Sequence, residues 1–121
     1  MVEYITKDET IIFSPYFNKL LNGELLINYK KIIFSDYELT YQLFDRYENN
    51  NFSSLNYISS KFNQSLGNSL NNLVNLTHLT LGNNFNQSLG NSLDNLINLT
   101  HLTHLTFNWC FNQQLSNSKI I

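Results

Sequence analysis

The chain has 121 residues, 42% hydrophobic and 13% charged, with a formal net charge of −2. That length suits one small domain. The scarcity of charge and the lack of any basic block argue against nucleic acid as partner; the single cysteine, Cys110, excludes an internal disulfide framework; the absence of alanine argues against a helical bundle. In chain order, the opening MVEYITKDETIIF lacks a basic n-region and a long apolar run, so no secretory leader is expected. No apolar stretch approaches the ~20 residues of a membrane span. The expected setting is intracellular and cytoplasmic, with no membrane partner. Ile11-Ile12-Phe13 reads as a first strand. Ser14-Pro15 then resembles an N-cap with proline at the first helical position, Phe17, Leu20 and Leu21 would share a helical face, and Gly23 would end the helix. Ile32-Ile33-Phe34 reads as a second strand. Ser35 to Glu38 fits a capping box, and Leu39, Leu43, Phe44 and Tyr47 make an apolar stripe of helical period. Asn49-Asn50-Asn51 reads as a loop, and Leu55-Asn56-Tyr57 as a third strand.

From Phe62 onward the chain repeats itself. FNQSLGNSLNNLVNLTHLTLGNN is followed by FNQSLGNSLDNLINLTHLTHLTFNWC, and then by FNQQLSNS from Phe111. The second unit is longer by one HLT triplet, so LTHLTHLTF has the form of a tandem duplication. Leu76, Leu79, Leu81 and Asn84 follow L-x-x-L-x-L-x-x-N; Leu102, Leu105, Phe107 and Cys110 follow L-x-x-L-x-F-x-x-C. This is the leucine-rich-repeat pattern, in which alternate leucines of a short strand point inward. Leu89, Leu93, Leu96 and Leu99 would return the chain along the far side. Extending the rhythm backward places coil anchors at Phe17, Leu39, Phe62, Phe85 and Phe111, at intervals of 22, 23, 23 and 26. The expectation is one domain over residues 1–121, with degenerate coils over 1–57 and clear repeats over 58–121. Its fold class would be an α/β leucine-rich-repeat-like solenoid of about five coils. A parallel sheet would lie on the concave side, with short helices or turns on the convex side.

The phrases FNQSL, NLTHLTLG and NLTHLTF resemble the FNIP-repeat family, a leucine-rich-repeat-like family of amoebae and of the large DNA viruses that infect them. The likeness covers Phe62 to Asn117. The eponymous tetrapeptide stands here as Phe62-Asn63-Gln64-Ser65, Phe85-Asn86-Gln87-Ser88 and Phe111-Asn112-Gln113-Gln114. Some relatives carry an F-box before the repeats, and nothing in this sequence resembles one. The resemblance implies a curved solenoid that binds another protein, without catalytic residues, in the host cytoplasm if viral.

His101 and His104 would share a face on a helix but point to opposite faces on a strand. The repeat register favours the strand and instead pairs His78 with His104 on neighbouring strands. No third ligand falls in register with them, so neither a metal nor a cofactor is expected. Cys110 fills a repeat slot and lacks the cationic surroundings of a reactive thiol. Asp94 reads as a turn residue, and Asp45 and Glu48 as flanking a helix end. Of five N-x-S/T sequons, at Asn51, Asn63, Asn75, Asn86 and Asn98, the last four recur because the repeat recurs, and all are expected to be unmodified. No acid–base dyad, phosphate loop or nucleophile elbow appears, so the chain is not expected to be an enzyme. The candidate site is the outward side of the concave sheet. One row is Thr10, Lys31, Ser54, His78 and His104; the next is Ile12, Ile33, Asn56, Thr80 and Thr106. Such a face is the usual binding surface of a solenoid. The alternative is that these residues are solvated, with Ile12 and Ile33 covered by Met1 to Asp8. A second expectation is end-to-end self-association, or a shortened paralogue without binding function. It stems from Leu115 and Ile120-Ile121, where the sequence stops inside a repeat.

Overall fold

A computed structural model describes residues 2–66, 69–70, 72–87, 101–108 and 110–113. One five-stranded sheet runs in the order β1-β2-β3-β4-β5. Its strands are β1 Tyr4–Lys7, β2 Thr10–Phe13, β3 Lys31–Phe34, β4 His78–Thr80 and β5 His104–Thr106. Among the described residues two short helices accompany it, α1 Gly23–Leu26 and α2 Leu43–Asn49. β1 and β2 form an antiparallel hairpin across Asp8-Glu9, and Asp8 takes the left-handed φ of 52° that this tight turn demands. The other three pairings are parallel: Ile11 beside Ile32, Ile32 beside Leu79, and Leu79 beside Leu105.

Side chains alternate across these strands. Ile11, Phe13, Ile32, Phe34, Leu79 and Leu81 face one continuous core, with Leu105 and Phe107 packed at its margin. Leu66, Leu70, Leu73 and Leu76 close it from the returning segment. Beyond each strand the chain adds a phenylalanine to a second stack. Phe17, Phe62, Phe85 and Phe111 lie parallel at 6.0, 5.9 and 6.0 Å between ring centroids. The following asparagines form a hydrogen-bond ladder. Asn63 N–H donates to Asn18 Oδ1 at 3.0 Å, Asn86 N–H to Asn63 Oδ1 at 2.8 Å, and Asn112 N–H to Asn86 Oδ1 at 3.0 Å. The Gln64, Gln87 and Gln113 amides bond the same three asparagines. The F-N-Q triplet is thus a rung. Its phenylalanine packs in the core, its asparagine accepts from the next rung, and its glutamine donates to the asparagine of the rung before. The first rung, Phe17-Asn18, carries only the phenylalanine and asparagine.

The rungs correct the expected coil count. Leu79 follows its sheet partner Ile32 by 47 residues, whereas Asn86 follows its ladder partner Asn63 by 23. The difference, 24 residues, leaves both ladders between Phe34 and Phe62. Leu39 is therefore no coil anchor, and Leu55-Asn56-Tyr57 is no sheet strand. β3 pairs β4 directly. The excursion's two ends pair with each other instead: Tyr37 bridges Tyr57, Glu38 N–H donates to Asn56 O at 3.0 Å, and Ile58 N–H to Asp36 O at 2.8 Å.

Two expected helices also change. Residues 15–22 are not helical, because Phe17 and Asn18 are held in the rung; Ser14 Oγ accepts Tyr16 N–H in a local turn. Gly23 starts α1 rather than ending a helix, with Asn22 Oδ1 capping Glu24 N–H. Ser35 does not cap α2, which begins eight residues later without a side-chain cap. Its hydroxyl binds the backbone of Tyr37 and the hydroxyl of Tyr47. The stripe Leu39, Leu43, Phe44 and Tyr47 does pack together, against Ile12 and Ile33. Leu89, Leu93, Asp94, Leu96, Leu99, Leu115, Ile120 and Ile121 lie outside the described residues.

Where the excursion rejoins the rungs, space is tight. A Cβ on Gly82 would stand 2.3 Å from Ser60 Cβ and 2.9 Å from Phe34 O. Both neighbours are fixed by backbone, so the clash cannot be relieved by a rotamer change. Gly82→Ala is expected to destabilise the fold by about 1–3 kcal/mol in urea unfolding. Val74→Ala, at an exposed position, should stay within about 0.5 kcal/mol. Equal midpoints for the two variants would contradict the close approach.

Candidate functional site

The sheet face away from the core carries the candidate residues, and the structure divides them into three groups. Thr10, Lys31, His78 and His104 form one in-register row across β2 to β5. Thr80 and Thr106 continue the second row beyond Ile12 and Ile33. These six remain at least partly accessible. Ile12 and Ile33, expected as an apolar end of the surface, are 0% and 6% exposed. They form a second small core with Leu43, against which Ile5, Leu39, Phe44, Tyr47 and Leu55 pack. The cover therefore comes mainly from residues 36–59, with the N-terminal strand contributing Ile5. Ser54 and Asn56 leave the site altogether. Ser54 sits in a turn with φ 66°, and Asn56 Nδ2 is taken by Glu38 Oε2 at 2.8 Å.

The excursion builds a wall that the sequence reading missed. Tyr37 stacks on Phe52 at 4.7 Å, Tyr47 meets Phe52 edge-on at 4.8 Å, and Tyr57 meets Tyr37 edge-on at 5.6 Å. Arg46 holds the loop after α2 by donating to Asn51 O and Ser53 O, and Asn50 ends the helix in the left-handed region. Burial pushes the Tyr47 hydroxyl up to about 12, so it stays a neutral donor to Ser35. Between this wall and the sheet face lies a groove of about 960 Å³, floored by Lys31, His78, Thr80, His104 and Thr106 and walled by Tyr37, Phe52 and Tyr57. The signals for the wall were present: six aromatics between Tyr37 and Tyr57, and the break in spacing between Phe34 and Phe62.

Asp36 anchors the junction. Only 6% exposed, its carboxylate accepts from Ser60 N–H at 2.8 Å, Asn83 N–H at 2.9 Å and Asn108 Nδ2 at 2.5 Å. Those donors belong to three successive passes of chain, so one side chain ties the excursion to all of them. A buried carboxylate is tolerable because N–H donors replace its water.

His78 and His104 stack at 4.1 Å with their planes 6° apart. Each Nδ1 lies 2.8 Å from the hydroxyl of the preceding threonine, Thr77 or Thr103. Each of those hydroxyls donates its proton to a carbonyl, Lys30 O or Thr77 O. Each Nδ1 is thus engaged by its threonine hydroxyl, which leaves Nε2 as the second polar atom of each ring. His101 lies outside β5, exposed, with Nδ1 3.1 Å from Val74 O. Cys110 is exposed, and its N–H donates to Asn83 O. Among the described residues, no three His, Cys, Asp or Glu side chains gather around a common point, and no helix is long and apolar enough to cross a membrane. No family model, curated protein or solved structure matches this chain.

Two predictions follow the groups of this site. Asp36→Asn turns an acceptor toward the Asn108 amide into a donor or loses a charged partner for two N–H groups. It is expected to cost about 1.5–3 kcal/mol in urea unfolding; an unchanged midpoint would remove Asp36 from its anchoring role. The second concerns acid. His78 titrates below the usual 6.5 because burial penalises the charged ring, with further repulsion from His104 and Lys31. The unfolded chain thus binds the proton more readily. The contribution to stability is complete above pH about 6.5 and declines as pH falls through that value toward the lower folded one. The melting temperature should be level from pH 8 to 7 and drop below 6.5, and His78→Gln should flatten that drop. An unchanged acid slope in the variant would show that His78 does not contribute to it.

Proposed function

We propose that this chain is a leucine-rich-repeat-like solenoid of the FNIP-repeat kind, and that it works as a non-catalytic protein-interaction module. The rung pattern supports the first part. F-N-Q recurs at Phe62, Phe85 and Phe111 with the same bonds to the preceding asparagine, so these passes stack by one rule, as repeat architectures do. The groove supports the second, and it is the single observation that carries the reading. A preformed cleft pairs a polar floor of Thr and His with a rigid aromatic wall. Aromatic side chains supply contact area at low entropic cost, and neighbouring hydroxyls and imidazoles fix orientation. The partner is read as a segment of protein laid along the floor beneath Tyr57. Its setting is proposed to be intracellular.

The site differs from a bare concave sheet. Its apolar end is closed by Leu43 and its neighbours, so recognition is assigned to the His/Thr end and the aromatic wall. The contact residues on this reading are Thr10, Lys31, His78, Thr80, His104, Thr106 and Tyr57. Replacing His78, Thr80, His104 and Thr106 together by alanine is expected to abolish capture of partner from the native cell near neutral pH, with the circular dichroism spectrum retained. Replacing Glu24 and Ile27, exposed on α1 and its C-cap, should leave the captured set intact. The same captured proteins with the fourfold variant would contradict the groove assignment.

A further inference from the structure

We propose that His78 and His104, with Lys31 beside them, form a proton-gated oxyanion site on the floor of the groove, taking a carboxylate or a tetrahedral anion of the phosphate type. The two rings are in-register partners on β4 and β5, stacked at 4.1 Å with planes 6° apart. Identical threonine contacts fix both in the same orientation. Their Nε2 atoms therefore stand side by side and point the same way. No residue bonds either Nε2 among the described residues, and no buried side-chain nitrogen lacks a partner. His78 is half-buried and His104 exposed, and both line the groove.

Parallel vectors decide between ligands. A metal ion needs lone pairs that converge on one point about 2.0–2.1 Å from each nitrogen, and stacked parallel rings cannot supply that. An oxyanion instead offers two oxygens side by side, which two parallel N–H donors can grip as a fork. A protonated ring is a donor at both nitrogens whichever tautomer it starts from: Nδ1–H is held by the threonine hydroxyl, and Nε2–H remains for a ligand. Protonation of both rings thus gives two side-by-side N–H donors carrying positive charge.

The surrounding charges explain why an anion is required to fill the pair. Lys31 is the next residue in the same row and opposes protonation of His78, as does His104. From α2, Glu48 faces Lys31 at 4.0 Å and only partly offsets it, and Asp45 lines the wall. From the hairpin, Glu9 is paired with Lys30 at 3.2 Å, while Lys7 and Asp8 line the far end. Two imidazolium rings at stacking distance repel each other, and a bound oxyanion removes that repulsion. Proton uptake and anion binding are therefore linked: each raises the other.

The test uses sulfate, whose charge does not change between pH 6.0 and 7.5, titrated at constant ionic strength into ¹³C-labelled full chain while the three histidine ring signals are followed. Sulfate should raise the titration midpoints of His78 and His104 and leave His101, the internal control, in place. Affinity should be at least about fivefold higher at pH 6.0 than at pH 7.5. Acetate run in parallel separates the two sources. A comparable response assigns the site to carboxylates, a response confined to sulfate assigns it to tetrahedral anions, and either supports the site. His104→Asn, at an exposed position, should keep the fold and remove the sulfate response of His78. Silence toward both anions, equal shifts at His101, affinity independent of pH, or an undiminished response in His104→Asn would each overturn the proposal. The site shares the groove floor with the interaction reading but not its partner; capture at neutral pH fails or succeeds independently of this titration.

Discussion

Asn18, Asn63 and Asn86 each accept the backbone N–H of the rung that follows, and that bond forms only when two rungs lie directly side by side. Asn18, Asn63, Asn86 and Asn112 are thereby fixed in one line. The phenylalanines preceding them stack in the same line at about 6 Å. The strand that leads into each rung has no choice of neighbour: β2 must lie beside β3, β3 beside β4, and β4 beside β5. The polar bonds set the register, and the buried rings supply most of the energy. Burying a phenylalanine contributes about 1.5–3 kcal/mol, against about 0.5–1.5 kcal/mol net for one hydrogen bond. The exposed ion pairs Lys19–Glu3 and Lys30–Glu9 add less than about 1 kcal/mol each.

The same constraint expels residues 36–59. They lie between Phe34, which belongs to a strand, and Phe62, which belongs to a rung, and the ladder leaves no slot for them. They fold back over the outward face of β2 and β3, where Ile12 and Ile33 offer an apolar landing for Leu43, Leu39 and Phe44. Asp36 fastens the exit point by accepting donors from Ser60, Asn83 and Asn108. The uncovered part of the face, from Lys31 to His104, becomes the groove floor, and the aromatic underside of the excursion becomes its wall. The excursion thus turns an open sheet surface into a walled cleft.

The inward positions of β2, β3, β4 and β5 were legible in the sequence, because alternation of apolar residues reports directly on which face is buried. The pairing of His78 with His104 was legible too, since both occupy the same place in a repeat. The helix expected over 15–22 was not formed, because serine–proline capping chemistry is local and the rung that claims Phe17 and Asn18 is not. The fifth coil failed for a related reason. Spacings of 22 and 23 residues from Phe17 to Leu39 to Phe62 imitate the repeat length, while the rung chemistry, phenylalanine followed by asparagine, is missing at Leu39. Matching Phe34 to Phe62 as Leu81 matches Phe85 exposes the 24 extra residues; matching apolar anchors alone conceals them. Ser54 and Asn56 were placed on the sheet by that concealed error, and Ile12 and Ile33 were left uncovered by it.

β3 pairs directly with β4, and residues 36–59 lie across the sheet rather than within it. Nuclear Overhauser contacts between backbone protons of neighbouring strands read this pairing without a mutation. Cross-strand contacts are expected between Ile32 and Leu79 and between Ile33 and Thr80, together with side-chain contacts from Leu43 to Ile12 and Ile33. Backbone contacts that place Leu55 between Ile32 and Leu79 would contradict this pairing.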